Sequence, residues 1–156
     1  MDAVIIYESM TGTTRRAAQL IGDGFFDHRI GSQLYPATGV TAEAVRDADL
    51  VVIGTWTDGL LVVGQRPGRA KRLKALPDLA GKRCVVYCTY AIDPGKTLKK
   101  LTAIVEARGG QVLGGMTVRR DHLEADTTEL VGRVVAALDV PAEPVPEQAP
   151  AGPPSN

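Results

Sequence analysis

The sequence predicts a three-layer α/β sandwich, in which helices cover both faces of a parallel sheet. Short apolar runs rich in β-branched residues occur at residues 3–7, 50–54 and 83–89, as expected for strands that are buried on both faces. Two further strands are predicted at residues 33–36 and 111–118, which makes a five-stranded sheet. Helical patterns separate these strands, and such β-α-β alternation is typical of parallel strands joined by right-handed crossovers.

Apolar residues at helical spacing predict the helices between the strands. Residues 13–25 and 94–107 each carry one apolar stripe that a helix would bury. We expect Asp93 to cap the second of these helices, with Pro94 in its first turn. A last helix is predicted to begin at the segment 126–129, whose sequence Asp-Thr-Thr-Glu is similar to a capping box, and to bury Leu130, Val131, Val134 and Leu138.

Length and composition indicate one soluble domain. The chain has 156 residues, of which 44% are hydrophobic and 23% are charged, and these are ordinary values for a globular protein. We expect this domain to span residues 1–140. Residues 141–156 contain six prolines and no aromatic residue, which predicts a disordered tail.

The sequence favours a cytoplasmic protein without a membrane span. Apolar runs fall well short of the ~20 residues that cross a membrane, and the chain does not open with a basic segment followed by an apolar one. Cys84 and Cys88 would lie ~13 Å apart on one face of a strand, too far for a disulfide, which favours small core residues in a reducing compartment. No metal site is expected, because His28 and His122 belong to segments other than the strand that contains the two cysteines.

Charge is distributed unevenly, although the formal net charge is zero. Residues 60–100 carry ten Lys or Arg against two Asp or Glu, whereas residues 1–59 and 101–156 are each acidic. The basic segment 66–83 is either a solvated face or a docking surface for an acidic partner or a nucleotide phosphate. Nucleic-acid binding is not expected, because aromatic residues do not alternate with the basic ones.

The candidate site follows from the rule that open parallel sheets bind ligands at the carboxyl ends of their strands. After the first predicted strand, hydroxyl side chains surround a glycine where the first helix begins. Backbone N–H groups and the helix dipole attract a small anion there, such as a phosphate monoester. A simple helix cap is the alternative. This segment, named the hydroxyl loop below, consists of Ser9, Met10, Thr11, Gly12, Thr13 and Thr14.

Aromatic residues follow two further strands at the same predicted edge of the sheet. Trp56 precedes an Asp-Gly turn signal, and Tyr90 follows the neighbouring strand. With the hydroxyl loop they suggest a slot for an aromatic heterocycle that carries a phosphate; a plain packing role for Tyr90 is the alternative. Residues 60–63 form either a core plug or an exposed lip. These two loops contain Thr55, Trp56, Thr57, Asp58 and Gly59, and Thr89, Tyr90 and Ala91.

Three motifs share their pattern with one family. They are Ile6-Tyr7-x-Ser9-x-Thr11-Gly12-x-Thr14, Thr55-Trp56-Thr57-Asp58-Gly59, and Leu79-Ala80-Gly81-Lys82 before the strand that ends in Thr89-Tyr90. In these motifs the chain resembles the flavodoxin family, over residues 1 to about 138. The resemblance implies the strand order 2-1-3-4-5, one noncovalent FMN, and electron transfer without a catalytic side chain.

The resemblance also implies a role for each part of the site. The hydroxyl loop would hold the FMN phosphate. Residues 55–57 would line one side of the isoalloxazine ring, and residues 89–91 would line the other. The peptide between Asp58 and Gly59 would reorient to hydrogen-bond the flavin N5 on reduction, a change that glycine makes inexpensive.

The sequence therefore predicts an FMN-binding electron-transfer protein, whose partner is a redox protein or a small electron acceptor. Two alternatives stay open. One is an FMN-dependent NAD(P)H or quinone-type reductase. The other is a non-redox interaction module that has lost flavin binding and works through the basic segment 66–83. The chain departs from the family in its neutral charge, since electron-carrying flavodoxins are strongly acidic, and at Met10, where a hydroxyl residue is common.

Overall fold

The computed structural model describes residues 1–59 and 64–138, and these contain six strands and five helices. The predicted tail 141–156 and the segment 60–63 lie outside the described residues. The strands are β1 (Asp2–Tyr7), β2 (Gly31–Pro36), β3 (Leu50–Asp58), β4 (Arg66–Pro67), β5 (Arg83–Tyr90) and β6 (Gln111–Arg119). The helices are α1 (Thr13–Asp27), α2 (Ala42–Asp47), α3 (Ala70–Lys74), α4 (Thr97–Ala107) and α5 (Leu123–Leu138).

Five of the strands form a parallel sheet in the order β2-β1-β3-β5-β6. These are the predicted strands, and they follow the predicted order 2-1-3-4-5 once β4 is left out of the numbering. The two-residue β4 is the difference from the prediction. It runs antiparallel to the end of β3, where Thr57 pairs with Pro67 and Asp58 pairs with Arg66. The chain therefore turns back along β3 before it crosses to β5.

Helices cover both faces of the sheet, which confirms the predicted three-layer sandwich. Successive side chains of a strand point to opposite faces, and so the strands supply two separate cores. Ile5 and Val52 pack with residues of α1 and α5. Ile6 and Ile53 pack with residues of α2, α3 and α4. Burial on both faces fixes the register of the strands, and with it the positions of the loops at their carboxyl ends.

The predicted start of α4 is wrong. The helix begins at Thr97 rather than at Pro94, and Asp93 does not cap it. The Asp93 carboxylate instead accepts a hydrogen bond from the Gly95 N–H over 3.0 Å, within the loop that precedes the helix. A short carboxylate can satisfy a turn as well as a helix end, and sequence alone does not separate the two uses.

The predicted capping box of α5 is also wrong. The helix begins at Leu123, three residues before the proposed cap, and Asp126 lies in its first turn. The Asp126 carboxylate accepts a hydrogen bond from the Arg119 N–H over 2.8 Å and so connects the helix to the end of β6. An acidic residue is favourable in the first turn because it complements the helix dipole.

The sequence did not predict α2 and α3, because six and five residues are too few to show an apolar period. Thr41 caps α2 by accepting a hydrogen bond from the Ala44 N–H over 3.1 Å. Each of these helices buries one side chain, Val45 in α2 and Leu73 in α3. A single buried residue per helix leaves no pattern to recognise.

Cys84 and Cys88 are free and buried in β5, as predicted for small core residues. Burial raises the pKa of the Cys84 thiol to about 11, so this side chain is neutral at physiological pH. Among the helices of residues 1–59 and 64–138, none combines the length and the apolar character that a membrane crossing requires.

Candidate functional site

A cleft opens at the carboxyl ends of the central strands, where the order of the parallel strands reverses between β1 and β3. Its volume is about 180 Å³, and it is open to solvent. Nine of the fourteen predicted site residues line it, and Arg120 lines it in addition. The lining residues are Met10, Thr11, Thr13, Thr14, Trp56, Thr57, Thr89, Tyr90, Ala91 and Arg120.

The hydroxyl loop leaves the first turn of α1 open. Gly12 is the N-cap residue and has a φ of +96°, a left-handed conformation that favours glycine. The Ser9 hydroxyl accepts a hydrogen bond from the Gly12 N–H over 3.1 Å, and so it closes the loop instead of lining the cleft. Within the described chain no side chain caps the helix. The N–H groups of its first turn are therefore available to an external acceptor.

The charges around this turn favour an anion. Arg15 and Arg16 lie in the first turn of α1, which contains no acidic residue. Positive side chains at a helix N-terminus oppose the helix dipole, which normally favours Asp or Glu there. A bound anion would remove this conflict. The two arginines are visible in the sequence, but the predicted site did not include them.

Thr14 is buried and connects α1 to the sheet through two hydrogen bonds. Its hydroxyl shares a hydrogen bond with the Thr89 hydroxyl over 2.9 Å. Its carbonyl oxygen accepts a hydrogen bond from the Tyr87 hydroxyl over 3.0 Å. Thr14 and Thr89 are 1% and 3% exposed, so both line the base of the cleft with hydroxyls that are already paired.

Trp56 forms one wall of the cleft and is held by the segment that follows β4. A Cβ atom on Gly68 would lie 2.1 Å from the Trp56 ring, so the indole packs directly on this glycine backbone. The Gly68 N–H donates to the Trp56 carbonyl oxygen over 2.9 Å, and the Thr55 hydroxyl donates to the Gly68 carbonyl oxygen over 2.9 Å. Thr55 is fully buried and does not line the cleft, so it supports the wall from behind.

Asp58 and Gly59 lie beside the cleft and do not line it. The Asp58 carboxylate pairs with the Arg66 guanidinium over 3.5 Å, which joins the ends of β3 and β4. Gly59 has a φ of +98°, and a Cβ atom there would approach the Gly64 carbonyl oxygen to 2.3 Å. The backbone at this turn therefore excludes a side chain at position 59.

Thr57 lines the cleft and carries an unsatisfied hydroxyl. Its Oγ1 atom is buried and has no hydrogen-bond partner among the described residues. The Cys88 thiol lies beside it, but a thiol is too weak a hydrogen-bonding group to satisfy it. Burial raises the pKa of that thiol to about 12, so it stays neutral. A buried hydroxyl without a strong partner is costly, and a ligand with hydrogen-bonding groups would satisfy it.

Glu8 directly precedes the hydroxyl loop and was missed by the prediction. Its side chain is 3% exposed, and its Oε1 atom lies 2.9 Å from Nη1 of both Arg69 and Arg72. The Arg69 guanidinium also lies over the Trp56 ring, 5.3 Å from the ring centroid. The acidic residue at the end of a strand was the available signal. Its partners are 61 and 64 residues further along the chain, and only the tertiary structure shows them.

Arg120 is the other lining residue that the prediction omitted. It follows the last residue of β6, and its N–H donates to the Tyr90 carbonyl oxygen over 2.8 Å. This position is at the same carboxyl edge as the predicted loops, so the rule that located them also applies to it. The cleft thus combines an open helix N-terminus, aromatic walls and a positively charged side chain.

The chain belongs to the flavodoxin family, since the family model for flavodoxin matches residues 5–132. This confirms the resemblance that the motifs indicated. FMN is the cofactor of this family, in agreement with the predicted cofactor. A search of curated proteins found no match to the chain.

Solved structures share the fold at low sequence identity. Oxidised flavodoxin 1 from Bacillus cereus has a TM-score of 0.67 and 19% identity, with 87% of this chain and 98% of that chain covered. Two-electron reduced flavodoxin from Megasphaera elsdenii has a TM-score of 0.66 and 15% identity, with 83% and 98% covered. Rubredoxin oxygen:oxidoreductase from Desulfovibrio gigas has a TM-score of 0.61 and 20% identity, with 88% of this chain but 37% of that chain covered. At these identities the likeness shows the fold.

Proposed function

We propose that this protein holds one FMN in the cleft and transfers electrons through it. One observation carries the proposal: residues of the open first turn of α1 line the same cleft as the aromatic side chains of Trp56 and Tyr90. A helix N-terminus suits a phosphate, and aromatic side chains suit a flat ring. Membership of the flavodoxin family supports FMN as the molecule that combines the two.

The residues of the cleft fit this group in charge and in hydrogen bonding. The hydroxyls of Thr11 and Thr13 and the N–H groups of the first turn would hold the phosphate, and Arg15 would add positive charge. The unpaired Thr57 hydroxyl would bond the ring system or the ribityl chain. Ser9 and Gly12 would shape the loop from outside the cleft.

The ring would lie between Trp56 and residues Thr89, Tyr90 and Ala91. Met10 is 63% exposed at the mouth of the cleft and would shield the ring edge from water. The peptide between Asp58 and Gly59 would supply a backbone hydrogen bond, as the family resemblance implies. Bound FMN supplies the redox chemistry, and the protein supplies binding, orientation and electrostatics.

A visible absorption spectrum of the purified protein is the first test, since bound FMN gives a yellow protein. Titration of the apoprotein with FMN and with riboflavin then tests the site, because riboflavin lacks the phosphate. We expect FMN to bind at least tenfold more tightly, roughly the value of one or two charge-assisted hydrogen bonds. A colourless protein that binds neither molecule would overturn the proposal.

Steady-state oxidation of NADH or NADPH separates a reductase from an electron carrier. A carrier oxidises neither nucleotide at a significant rate without a separate reductase, whereas a quinone-type reductase does so with the quinone alone. We propose the carrier role, with a redox protein or a small electron acceptor as partner. The two free thiols are consistent with a cytoplasmic location for it.

The interaction-module alternative has less support, because much of the basic segment 66–83 is engaged within the protein. Arg66 pairs with Asp58, and Arg69 and Arg72 both pair with Glu8. The Lys82 ammonium donates to the carbonyl oxygens of two residues in the 46–48 segment over 2.6 and 2.8 Å. Four of the seven basic side chains in this segment therefore serve the fold.

A further inference from the structure

We propose that Arg69 is a positioning residue that connects the hydroxyl loop to the Trp56 ring. Its guanidinium neutralises Glu8 below the hydroxyl loop and at the same time covers the Trp56 ring. The side chain thereby sets the position of the aromatic wall relative to the end of the cleft that would take the phosphate. The consequence for FMN rests on the proposed function, but the positioning itself is testable in the apoprotein.

Glu8 requires a cation at this place. Its carboxylate is almost fully buried at the end of β1, and its N–H donates to the Gly54 carbonyl oxygen over 2.9 Å, which fixes its backbone to β3. A buried carboxylate is tolerated only when it is paired and hydrogen-bonded. Arg69 and Arg72 meet that need jointly, each at 2.9 Å from the same oxygen atom.

Of the two arginines that pair with Glu8, it is Arg69 that also contacts Trp56. Its guanidinium lies 5.3 Å from the ring centroid, within the range of a cation–π contact. Its Nη1 atom lies 3.4 Å from the Ser9 carbonyl oxygen, so the same group contacts the hydroxyl loop. Three parts of the site therefore meet at one side chain: the end of β1, the hydroxyl loop and the indole.

The backbone of Arg69 supports a specific role. The residue has a φ of +48°, a left-handed conformation that is uncommon outside glycine and asparagine. It directly follows Gly68, on which the Trp56 ring packs. This conformation costs free energy, and such strain persists where the surrounding contacts determine it. The planar guanidinium is required because an ammonium group cannot pair with a carboxylate and stack on a ring equally well.

Arg72 provides a matched control for the first test. Arg69→Met and Arg72→Met each remove one of the two Glu8 partners, and both side chains are similarly exposed, at 41% and 47%. Trp56 is the only tryptophan of the chain, so the tryptophan emission of the apoprotein reports on this ring alone. We expect a red-shifted emission and about twofold stronger acrylamide quenching in Arg69→Met, with no change in Arg72→Met.

Equal spectra for both variants and the wild type would overturn the proposal, and so would equal changes in both variants. Urea unfolding of the two variants accompanies the spectra, because both lose one partner of Glu8 and we expect similar loss of stability. A spectral difference between variants of matched stability then reports the contact with Trp56.

FMN titration is the second test. We expect the dissociation constant of FMN to rise about tenfold in Arg69→Met and less than about twofold in Arg72→Met. Arg69→Lys keeps the charge without the planar group, and we expect it to restore the stability but not the emission of Trp56. Failure of the wild type to bind FMN would refute the proposed function, while the apoprotein spectra would still decide the role of Arg69.

Discussion

The Tyr87 hydroxyl donates a hydrogen bond to the Thr14 carbonyl oxygen over 3.0 Å, and this bond ties β5 to the first turn of α1. Tyr87 is fully buried and reaches Thr14 by passing over Gly54 in the neighbouring strand β3. Burial raises the pKa of its hydroxyl far above the usual range, so the group remains a donor. The orientation of the open helix turn therefore depends on a contact from the centre of the sheet.

Gly54→Ala should destabilise the protein strongly. A Cβ atom at this position would lie 2.0 Å from the Tyr87 ring, and the ring cannot move without losing its bond to Thr14. We expect the free energy of unfolding to fall by about 3 kcal/mol, as for severe overpacking. Urea unfolding measures the change. Gly114→Ala is the matched control, because a Cβ there meets no atom within 4 Å; an unchanged midpoint for Gly54→Ala would contradict the packing.

Thr13→Asp should separate stability from binding. A carboxylate in the first turn of α1 complements the helix dipole, so we expect the free energy of unfolding to be equal or a few tenths of a kcal/mol higher. The same charge repels a phosphate, and we expect the dissociation constant of FMN to rise at least tenfold while that of riboflavin stays constant, roughly the cost of one like-charge contact. Fluorescence titration measures both constants.

Thr13→Asn is the control for that substitution, since it has a similar shape without the charge. Equal FMN affinity for the Asp and Asn variants would show that the phosphate lies elsewhere.

Gly68→Ala should displace the indole without altering the hydroxyl loop. The added methyl group would lie 2.1 Å from the Trp56 ring, so the ring must leave its place on the backbone. We expect a red-shifted tryptophan emission in the apoprotein and weaker quenching of FMN fluorescence on binding, because the stacked geometry is lost. The inhibition constant of inorganic phosphate, measured by competition with FMN, should be the same in this variant and the wild type. A variant in which this constant changes while the tryptophan emission and the quenching of FMN do not would argue against Trp56 as a wall of the cleft.

Stability should fall on the alkaline side because two thiols are buried. Burial raises the pKa of Cys84 to about 11 and that of Cys88 to about 12. Below about pH 8 both thiols are largely protonated in the folded and unfolded states, and the full stability is present. Above it the unfolded chain releases protons that the folded protein keeps, so the free energy of unfolding falls by about 1.4 kcal/mol per thiol and pH unit up to the folded pKa.

Urea unfolding between pH 8 and pH 10.5 measures this slope. Cys88→Ala should lower the free energy of unfolding at every pH, because it leaves a small cavity. It should also remove one of the two thiol contributions to the slope of this free energy against pH, so about half of the thiol-dependent slope should remain. The same slope in Cys88→Ala and the wild type would show that the Cys88 thiol ionises normally in the folded state.

Much of the fold and site could be predicted from the sequence because the signals are local. The β-branched runs of the five parallel strands and the hydroxyl residues around Gly12 are readable without knowledge of distant residues. The rule for the carboxyl ends of strands then places Trp56 and Tyr90 near the same loop. The predictions of helix caps at Asp93 and Asp126 were wrong because a short carboxylate can accept hydrogen bonds in turns as well as at helix ends.

The sequence by itself determined the layered fold, the family and the edge of the sheet where the candidate cleft lies, because periodicity and motif spacing act over short distances. Tertiary structure alone decided which side chains share that edge. It placed Thr55 behind the Trp56 wall, brought Arg120 into the cleft, and joined Glu8 to arginines more than sixty residues away. Contacts of this kind depend on how loops from separate crossovers pack, and no local pattern encodes that packing.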